Sequence, residues 1–290
     1  MNAASMENSG FEFSATYRNR DHALKYDISA NVSTLKNKVT SLGIGKDSYI
    51  SGAYATYVGQ EIGQFYGWVY KGIARTQEEL DNNAVQQGAN VGDCLYEDIS
   101  GPDGTPDGVI DAYDQTVLGS GLPKVNFGLS THLEYKGFDL NISTYGVLNY
   151  HVSDDIYNSL NSCYGYGNKE VGMLDANRWS EDGTYLSSVP RTYAANNATL
   201  AWNDLFSSRK IQNAAYWKIA NVELGYNFPD KWFGGYVSGV RLYVSAQNLY
   251  TFTGYHGYNV DYAGGTFTPG YNFCSFPSAR TFMCGLHFTF

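Results

Sequence analysis

The stretch from Tyr216 to Phe290 carries YWKIANVELGYNF (216–228), GVRLYVSAQNLYTFT (239–253) and RTFMCGLHFTF (280–290). Each reads as a β-strand. Ala220, Val222, Leu224, Tyr226 and Phe228 alternate with Asn221, Glu223, Gly225 and Asn227. Val240, Leu242, Val244 and Ala246 alternate with Arg241, Tyr243, Ser245 and Gln247. Phe282, Cys284, Leu286, Phe288 and Phe290 alternate with Thr281, Met283, Gly285, His287 and Thr289. Successive side chains on a strand point to opposite faces, so each strand has one apolar and one polar side. The last, Arg280 to Phe290, has about the length that crosses a bilayer at the usual strand tilt.

Upstream the same pattern recurs in hairpins. Phe11, Phe13, Ala15 and Tyr17 alternate with polar residues, as do Tyr26, Ile28, Ala30 and Val32, with a short polar connector at Asn19 to His22. Phe127, Leu129, Thr131, Leu133 and Tyr135 are followed by Lys136-Gly137, then by Phe138, Leu140, Ile142 and Thr144. A two-residue connection containing Gly fixes the register of a hairpin. Lys36 to Gly59 reads as irregular, and Gln60 to Gly72 as a strand flanked by bulk on both faces. Thr76-Gln-Glu-Glu79 is a capping-box signature for a short surface helix.

Composition agrees with an all-β chain. Of 290 residues, 26 are Tyr, 15 Phe, 5 Trp and 32 Gly, a mixture that suits strands, tight turns and interfacial aromatic girdles. The formal net charge is −9, with no Lys/Arg cluster, so no nucleic-acid partner is expected. Cys94, Cys163, Cys274 and Cys284 show neither CxxC nor Cys/His metal spacing. No apolar run is long enough for a transmembrane helix. Met1 to Gly10 lacks the charged-then-apolar pattern of a signal peptide. Either the protein is soluble or Met1 is not its true beginning, and the resemblance given below favours the second.

The sharpest chemical signal is DGTPDGVIDAYD, Asp103 to Asp114. It follows the calcium-loop template: acids at the first and fifth positions, Gly at the sixth, an aliphatic at the eighth, acids at the ninth and twelfth. Asp103, Asp107, Asp111 and Asp114 would supply carboxylates, Thr105 a hydroxyl and Val109 a backbone carbonyl to Ca²⁺, the one cofactor expected. Thr105 at the third position, Pro106, and Asp in place of Glu at the twelfth depart from the template. A metal-free Asp/Gly turn is the other reading of the same residues.

Two long segments, Leu148 to Arg209 and Phe252 to Ala279, are rich in Tyr, Asn, Ser and Gly. Segments of this length are usually functional. Trp179, Trp202, Tyr255, Tyr258 and Tyr262 are the candidate substrate or partner contacts, since aromatics give large contact area at low entropic cost. No GxSxG, HExxH, P-loop or dinucleotide fingerprint is present, so an enzyme is not expected. A soluble secreted β-sandwich that binds carbohydrate is the competing class. Short turns at one end, long loops at the other, and apolar rows ending in aromatics favour an outer-membrane barrel over it.

Several segments resemble, in order, those of SusC/RagA-like TonB-linked outer-membrane transporters. Met6-Glu-Asn-Ser-Gly-Phe-Glu-Phe is similar to their NKGFE strand, and Gln60-Glu-Ile-Gly-Gln-Phe-Tyr-Gly to their GxxIGxFYG segment. Asp107-Gly-Val-Ile-Asp, Asp114 and Val117-Leu-Gly-Ser resemble their NGDGxID loop. Leu122-Pro-Lys, Tyr135-Lys-Gly-Phe-Asp-Leu, Tyr216 to Pro229, Leu242 to Thr253, and Pro277-Ser-Ala-Arg-Thr-Phe complete the match. The resemblance implies that residues 1–290 are a carboxy-terminal portion of such a barrel, an antiparallel meander within a large transmembrane β-barrel with long extracellular loops. The plug domain and early strands would be absent. About nine or ten strands are expected here, against about 22 in the closed barrel. It also implies bacterial outer-membrane localisation and TonB-dependent import of an oligosaccharide or peptide. The implied partners are a SusD-like surface lipoprotein, the TonB complex through the missing plug, and outer-membrane lipid. On the alternation, Arg241, Glu223, Gln247, His132 and Glu134 face the lumen.

Overall fold

The computed structural model describes residues 4–43, 45–163, 167–174, 177–192, 202–233, 237–261, 264–273 and 275–290. Its dominant element is a seven-stranded antiparallel sheet. We label its strands β1 (Glu12–Asn19), β2 (Leu24–Thr34), β3 (Val125–Tyr135), β4 (Phe138–Leu148), β5 (Tyr216–Phe228), β6 (Gly239–Thr253) and β7 (Thr281–Thr289). They pair in chain order, β1 to β7, so the sheet is an uninterrupted meander. Lys136 and Gly137 both take positive φ, 49° and 87°, the backbone that a two-residue hairpin needs to match strand twist. The connections β1–β2, β3–β4 and β5–β6 are short and lie at one end. Those leaving β2, β4 and β6 are long and lie at the other.

Side-chain exposure in this sheet is inside out. Leu242, Leu286 and Phe282 are 43%, 58% and 69% exposed, whereas Asp139 and Lys218 are 6% and 3% exposed. The apolar rows do not meet one another across a two-layer core, as a sandwich requires. Leu140, Leu224, Val222 and Ile142 stand in register on one face of β4 and β5, continued by Leu242, Val244 and Ala246 on β6 and by Leu286, Cys284 and Phe282 on β7. Water does not stabilise such a surface; hydrocarbon does.

Aromatic belts bound this apolar band. At the short-turn end Phe138 packs on Tyr226 with ring centroids 4.6 Å apart, and Tyr226 on Phe228 at 4.9 Å. At the other end Trp217 stacks on Phe252 at 5.3 Å, and Tyr250 meets Phe252 at 4.7 Å. Trp217 reaches the apolar face through a bulge. The ladder steps from Asn221↔Ser143 to Ile219↔Thr144 without using Ala220, which shifts the alternation by one residue. On β6 the ladder passes over Asn248 and Leu249, and Asn248 takes φ 51°. Trp217 and Tyr226 are nine residues apart on β5, about 30 Å along a strand and roughly 23 Å across a bilayer at the usual tilt.

Two expectations need correction. The principal sheet has seven strands, not nine or ten. The Gln60–Gly72 stretch instead supplies two short strands, Gln64–Gly67 and Tyr70–Ile73, to small sheets in the long connections. Nor is Lys36–Gly59 irregular. Lys36–Ser41 pairs with Ser5–Ser9 beyond the β1–β2 hairpin, and Ser48–Ser51 forms a hairpin with Tyr54–Tyr57. Positive-φ glycines at 43, 45 and 52 join these strands, and the runs between them are too short to display a period. The helix Gln77–Asp81 is present, with the Thr76 hydroxyl accepting from the Glu79 N–H.

The membrane-facing assignment yields a test. In the membrane-inserted protein, Leu242→Lys or Leu286→Lys should lower folding stability in a lipid bilayer by about 2–4 kcal/mol. Gln247→Lys, on the opposite face, should be near neutral. Urea titration in liposomes reads the difference, and equal costs at the two kinds of site would refute the orientation.

Candidate functional site: the polar wall and the loops above it

The polar face of the sheet is a paired charge network near the short turns. Arg241 donates from Nε to Asp139 Oδ2 at 3.0 Å, from Nη2 to Asp139 Oδ1 at 2.5 Å and to Glu223 at 2.7 Å. Asn227 Nδ2 adds a bond to Asp139 at 2.8 Å. Gly225 makes room for this fork: a Cβ there would lie 2.5 Å from Arg241 Nη2 and 2.6 Å from Asp139 Oδ2. The Arg241 guanidinium also lies 5.1 Å from the centre of the Tyr243 ring, a cation–π contact. Further along the wall, His132 bridges Asn141 at 2.7 Å and Glu134 at 2.8 Å, and Lys25 lies 3.5 Å from Glu134. Arg241, Glu223, His132 and Glu134, singled out from the alternation, therefore share one face. Gln247 stands on the same row, farther from the turns and exposed. The Arg241 and Glu134 charges are matched within the wall, which makes this end a rigid, nearly neutral lining.

At the other end a strap of chain closes onto the wall. Lys218 sits on β5 just past the bulge, with its side chain only 4% exposed, and its ammonium pairs with Asp261 at 2.5 Å. Tyr145 on β4 donates its hydroxyl to the same carboxylate at 3.1 Å. A second clamp holds the strap's beginning. The Tyr255 hydroxyl donates to Asp154 and accepts from Asn272 Nδ2, which also reaches Asp154 at 3.1 Å. Burial and the neighbouring Asp154 push the Tyr255 phenol above its usual range, keeping it a donor. Val147, Tyr150, Val152, Ala214, Tyr216, Tyr255 and Val260 form the apolar core around these clamps.

The aromatic candidates divide. Tyr258 and Trp179 are exposed, and Trp179 meets Tyr185 edge-on at 5.1 Å. Tyr255 is buried in its clamp. Trp202 packs against Tyr96 at 6.3 Å and donates from Nε1 to the Gln87 carbonyl at 3.0 Å, within a second core around Cys94, Tyr96 and Ile110. Tyr262 lies outside the described residues. Tyr255 and Trp202 thus belong to the small apolar cores of the loops.

The Asp103–Asp114 loop folds around its own carboxylates. Asp114 is fully buried and accepts from the N–H groups of Ile99 (2.8 Å), Ser100 (3.2 Å) and Asp111 (2.8 Å). Asp111 accepts from Tyr113 N–H at 2.7 Å, completing a reciprocal cap. Asp107 accepts from Val109 N–H at 3.0 Å, and Asp103 from Thr105 N–H and hydroxyl at 3.2 and 2.9 Å. The Thr105 bonds hold the Asp103 carboxyl below its usual range. Among the described residues no three His, Cys, Asp or Glu side chains gather as an ion cage. The carboxylates accept from backbone N–H groups and, at Asp103, from the Thr105 hydroxyl as well.

One polar cluster had no sequence signal. Buried Asp93 accepts from Arg191 Nη2 and Asn203 Nδ2, both at 2.8 Å, and Asn203 Oδ1 accepts from Cys94 N–H at 2.7 Å. These partners are about a hundred residues apart, beyond any local motif. Cys94 and Cys163 are buried free thiols, both pushed up to about 12 by desolvation.

No protein-family model matches the chain. It is 30% identical over 308 residues to TonB-dependent receptor P3 of Formosa agariphila, covering 100% of this chain and 29% of that protein. It is 25% identical over 309 residues to TonB-dependent receptor SusC of Bacteroides thetaiotaomicron, covering 100% of this chain and 27% of that one. Among solved structures, the RagAB peptide transporter superposes with a TM-score of 0.76 at 21% identity, over 98% of this chain and 29% of that chain. The chain thus spans under a third of the length of these relatives.

Two outcomes follow from the Lys218–Asp261 clamp and from Asp114. Lys218→Met and Asp261→Asn should each expose the 255–261 strap to protease and cost about 1.5–3 kcal/mol, while the double variant costs much less than their sum. Additive costs in a denaturation cycle would show that the pair is not coupled. Asp114→Ala should make residues 98–114 the first site of limited proteolysis, because it orphans buried N–H groups at about 1–3 kcal/mol each. Asp114→Asn should be intermediate, since an amide NH₂ cannot accept.

Proposed function

We propose a role in nutrient import, from the premise that the chain is a SusC/RagA-like segment of the TonB-dependent receptors of the bacterial outer membrane. On this reading the seven strands are one sector of a barrel wall. Their apolar rows face lipid and their paired polar rows face the lumen. The cargo is an oligosaccharide or a peptide, moved through the barrel with energy delivered by the TonB complex. The plug and the TonB-contacting segment belong to the part of the relatives' length that this chain does not span. A SusD-like surface lipoprotein would cap the long-loop end, where Tyr258 and Trp179 stand exposed.

The observation that carries this reading is the inverted burial of the sheet, apolar rows exposed and charged rows sheltered, combined with all long connections at one end. That pair of features is the signature of an outer-membrane barrel. No reaction is assigned: the relatives are receptors and transporters, not enzymes.

The test is uptake. Cells expressing the full-length protein should accumulate labelled oligosaccharides or labelled peptides, and accumulation should cease when TonB is removed. A lipoprotein should co-purify from detergent-solubilised outer membranes. Uptake of both cargo classes unchanged by deleting the gene, with the protein recovered from the medium, would overturn the proposal in favour of a secreted binding module.

A further inference from the structure

We propose that Lys36 and Lys38 hold the phosphate of an outer-leaflet glycolipid against the outer face of the barrel wall. The two lysines lie on the strand Lys36–Ser41, which pairs with Ser5–Ser9. That pair prolongs the β1–β2 hairpin. The pairing Glu12↔Ser33 is followed three residues on by Ser9↔Lys36, and between them the Thr34 N–H donates to the Phe11 carbonyl at 2.8 Å. The register is unbroken, so side chains keep their faces along the whole ribbon.

The orientation of the ribbon is fixed by what its other face touches. Asn37 and Val39 are 6% and 2% exposed. Asn37 Oδ1 accepts from the Ile62 N–H at 2.9 Å, and Val39 exchanges backbone hydrogen bonds with Gln60 and Gly59. The inner face is therefore taken by the chain at 59–62. Lys36 and Lys38 alternate with Asn37 and Val39 and are exposed. They continue the face of Phe11, Phe13 and Val32, which are exposed too and which belong to the lipid-facing rows.

The height suits a headgroup. Lys36 is twelve residues beyond Leu24, the start of β2 at the short-turn end, or about 40 Å along a strand. At the usual tilt this is roughly 28 Å across the membrane, against about 25 Å for the apolar band of such barrels. Lys36 thus emerges at the edge of the hydrocarbon, with Lys38 roughly 5 Å farther out. Cations just beyond an apolar span attract anionic headgroups.

Neither lysine makes an ion pair among the described residues. Glu7, opposite Lys38 in the ladder, is the one carboxylate on this face of the pair. Side chains two apart on one strand face stand about 7 Å apart, and the flexible lysine stems let both ammonium groups reach one phosphate. A monoester phosphate carries more charge than a diester and gains more from two cations. Phe11, Phe13 and Val32 lie where the acyl chains would run. A lipid uses the apolar rows and the cations together, whereas a soluble phosphate uses the cations alone.

The inference rests on the outer-membrane placement of the wall and requires no transport. The experiment is native mass spectrometry of the membrane-inserted protein released from phosphatidylcholine nanodiscs. The nanodiscs carry equal mole fractions of diphosphoryl lipid A, a monoester, and phosphatidylglycerol, a diester. Lipid A should be retained at least about tenfold over phosphatidylglycerol. The double variant Lys36→Gln with Lys38→Gln should lose at least about tenfold of that retention. Glu7→Gln, which removes the neighbouring negative charge, should raise it about two- to threefold. Lys231→Gln, an exposed lysine in the short β5–β6 connection, should leave it unchanged. Equal retention of the two lipids, unchanged retention in the double variant, or displacement of lipid A by millimolar inorganic phosphate would overturn the assignment. Uptake without selective lipid retention sinks only this inference; selective retention without uptake sinks only the transport reading.

Discussion

Backbone hydrogen bonding across β1 to β7 leaves the side chains a single choice, which solvent each face meets. Outside the bulges at Ala220 and at Asn248-Leu249, the ladders pair the main chain of the interior strands, and the two-residue period sends alternate side chains to opposite sides. Leu224, Leu242 and Leu286 then share a face that none of the described residues covers, while Asp139 and Arg241 share the opposite face, sheltered and paired. A soluble sheet would place the charges outward. Everything else in the chain is compatible with that inversion: the aromatic belts at both ends of the band, the tight turn at Lys136-Gly137, and the displacement of all bulky connections to one side.

The polar face shows how charge is tolerated inside such a wall. An unpaired ion there is costly, so Arg241 is held by two carboxylates and by the Tyr243 ring. Gly225 is part of that arrangement because its missing side chain is the space the guanidinium occupies. The same logic governs Lys218 at the opposite end, where the partner comes from a loop and the pair ties the strap to the sheet. The wall is therefore pinned at both ends by paired charges, and the exposed aromatics Tyr258 and Trp179 stand outside those pairs.

The long connections follow a different rule. They are too long to be held by turn chemistry, so they share two small cores and pair polar groups within and between connections. Asp114 organises one segment through three backbone N–H groups, Asp93 another through Arg191 and Asn203, and Asp154 a third through Tyr255 and Asn272. An acidic residue in these loops is thus used as a backbone or side-chain organiser.

The sequence by itself determined the strands of the seven-stranded sheet, the faces of their regular stretches and the Lys136-Gly137 turn, because alternation and turn residues are local and the strand period leaves little ambiguity. Leu242 and Arg241 were assigned to opposite faces from their neighbours alone, and the ladder agrees. Only the tertiary structure decided how many strands join the sheet, that the bulge opposite Ser143 brings Trp217 to the apolar face, and that Tyr255 is buried and Trp202 half-buried while Tyr258 is exposed. It also decided the pairings of Asp93 with Arg191 and of Lys218 with Asp261. The physical reason is range: a bulge depends on the partner strand's count, and an ion pair between distant segments depends on loop closure, neither of which is written within a few residues of chain.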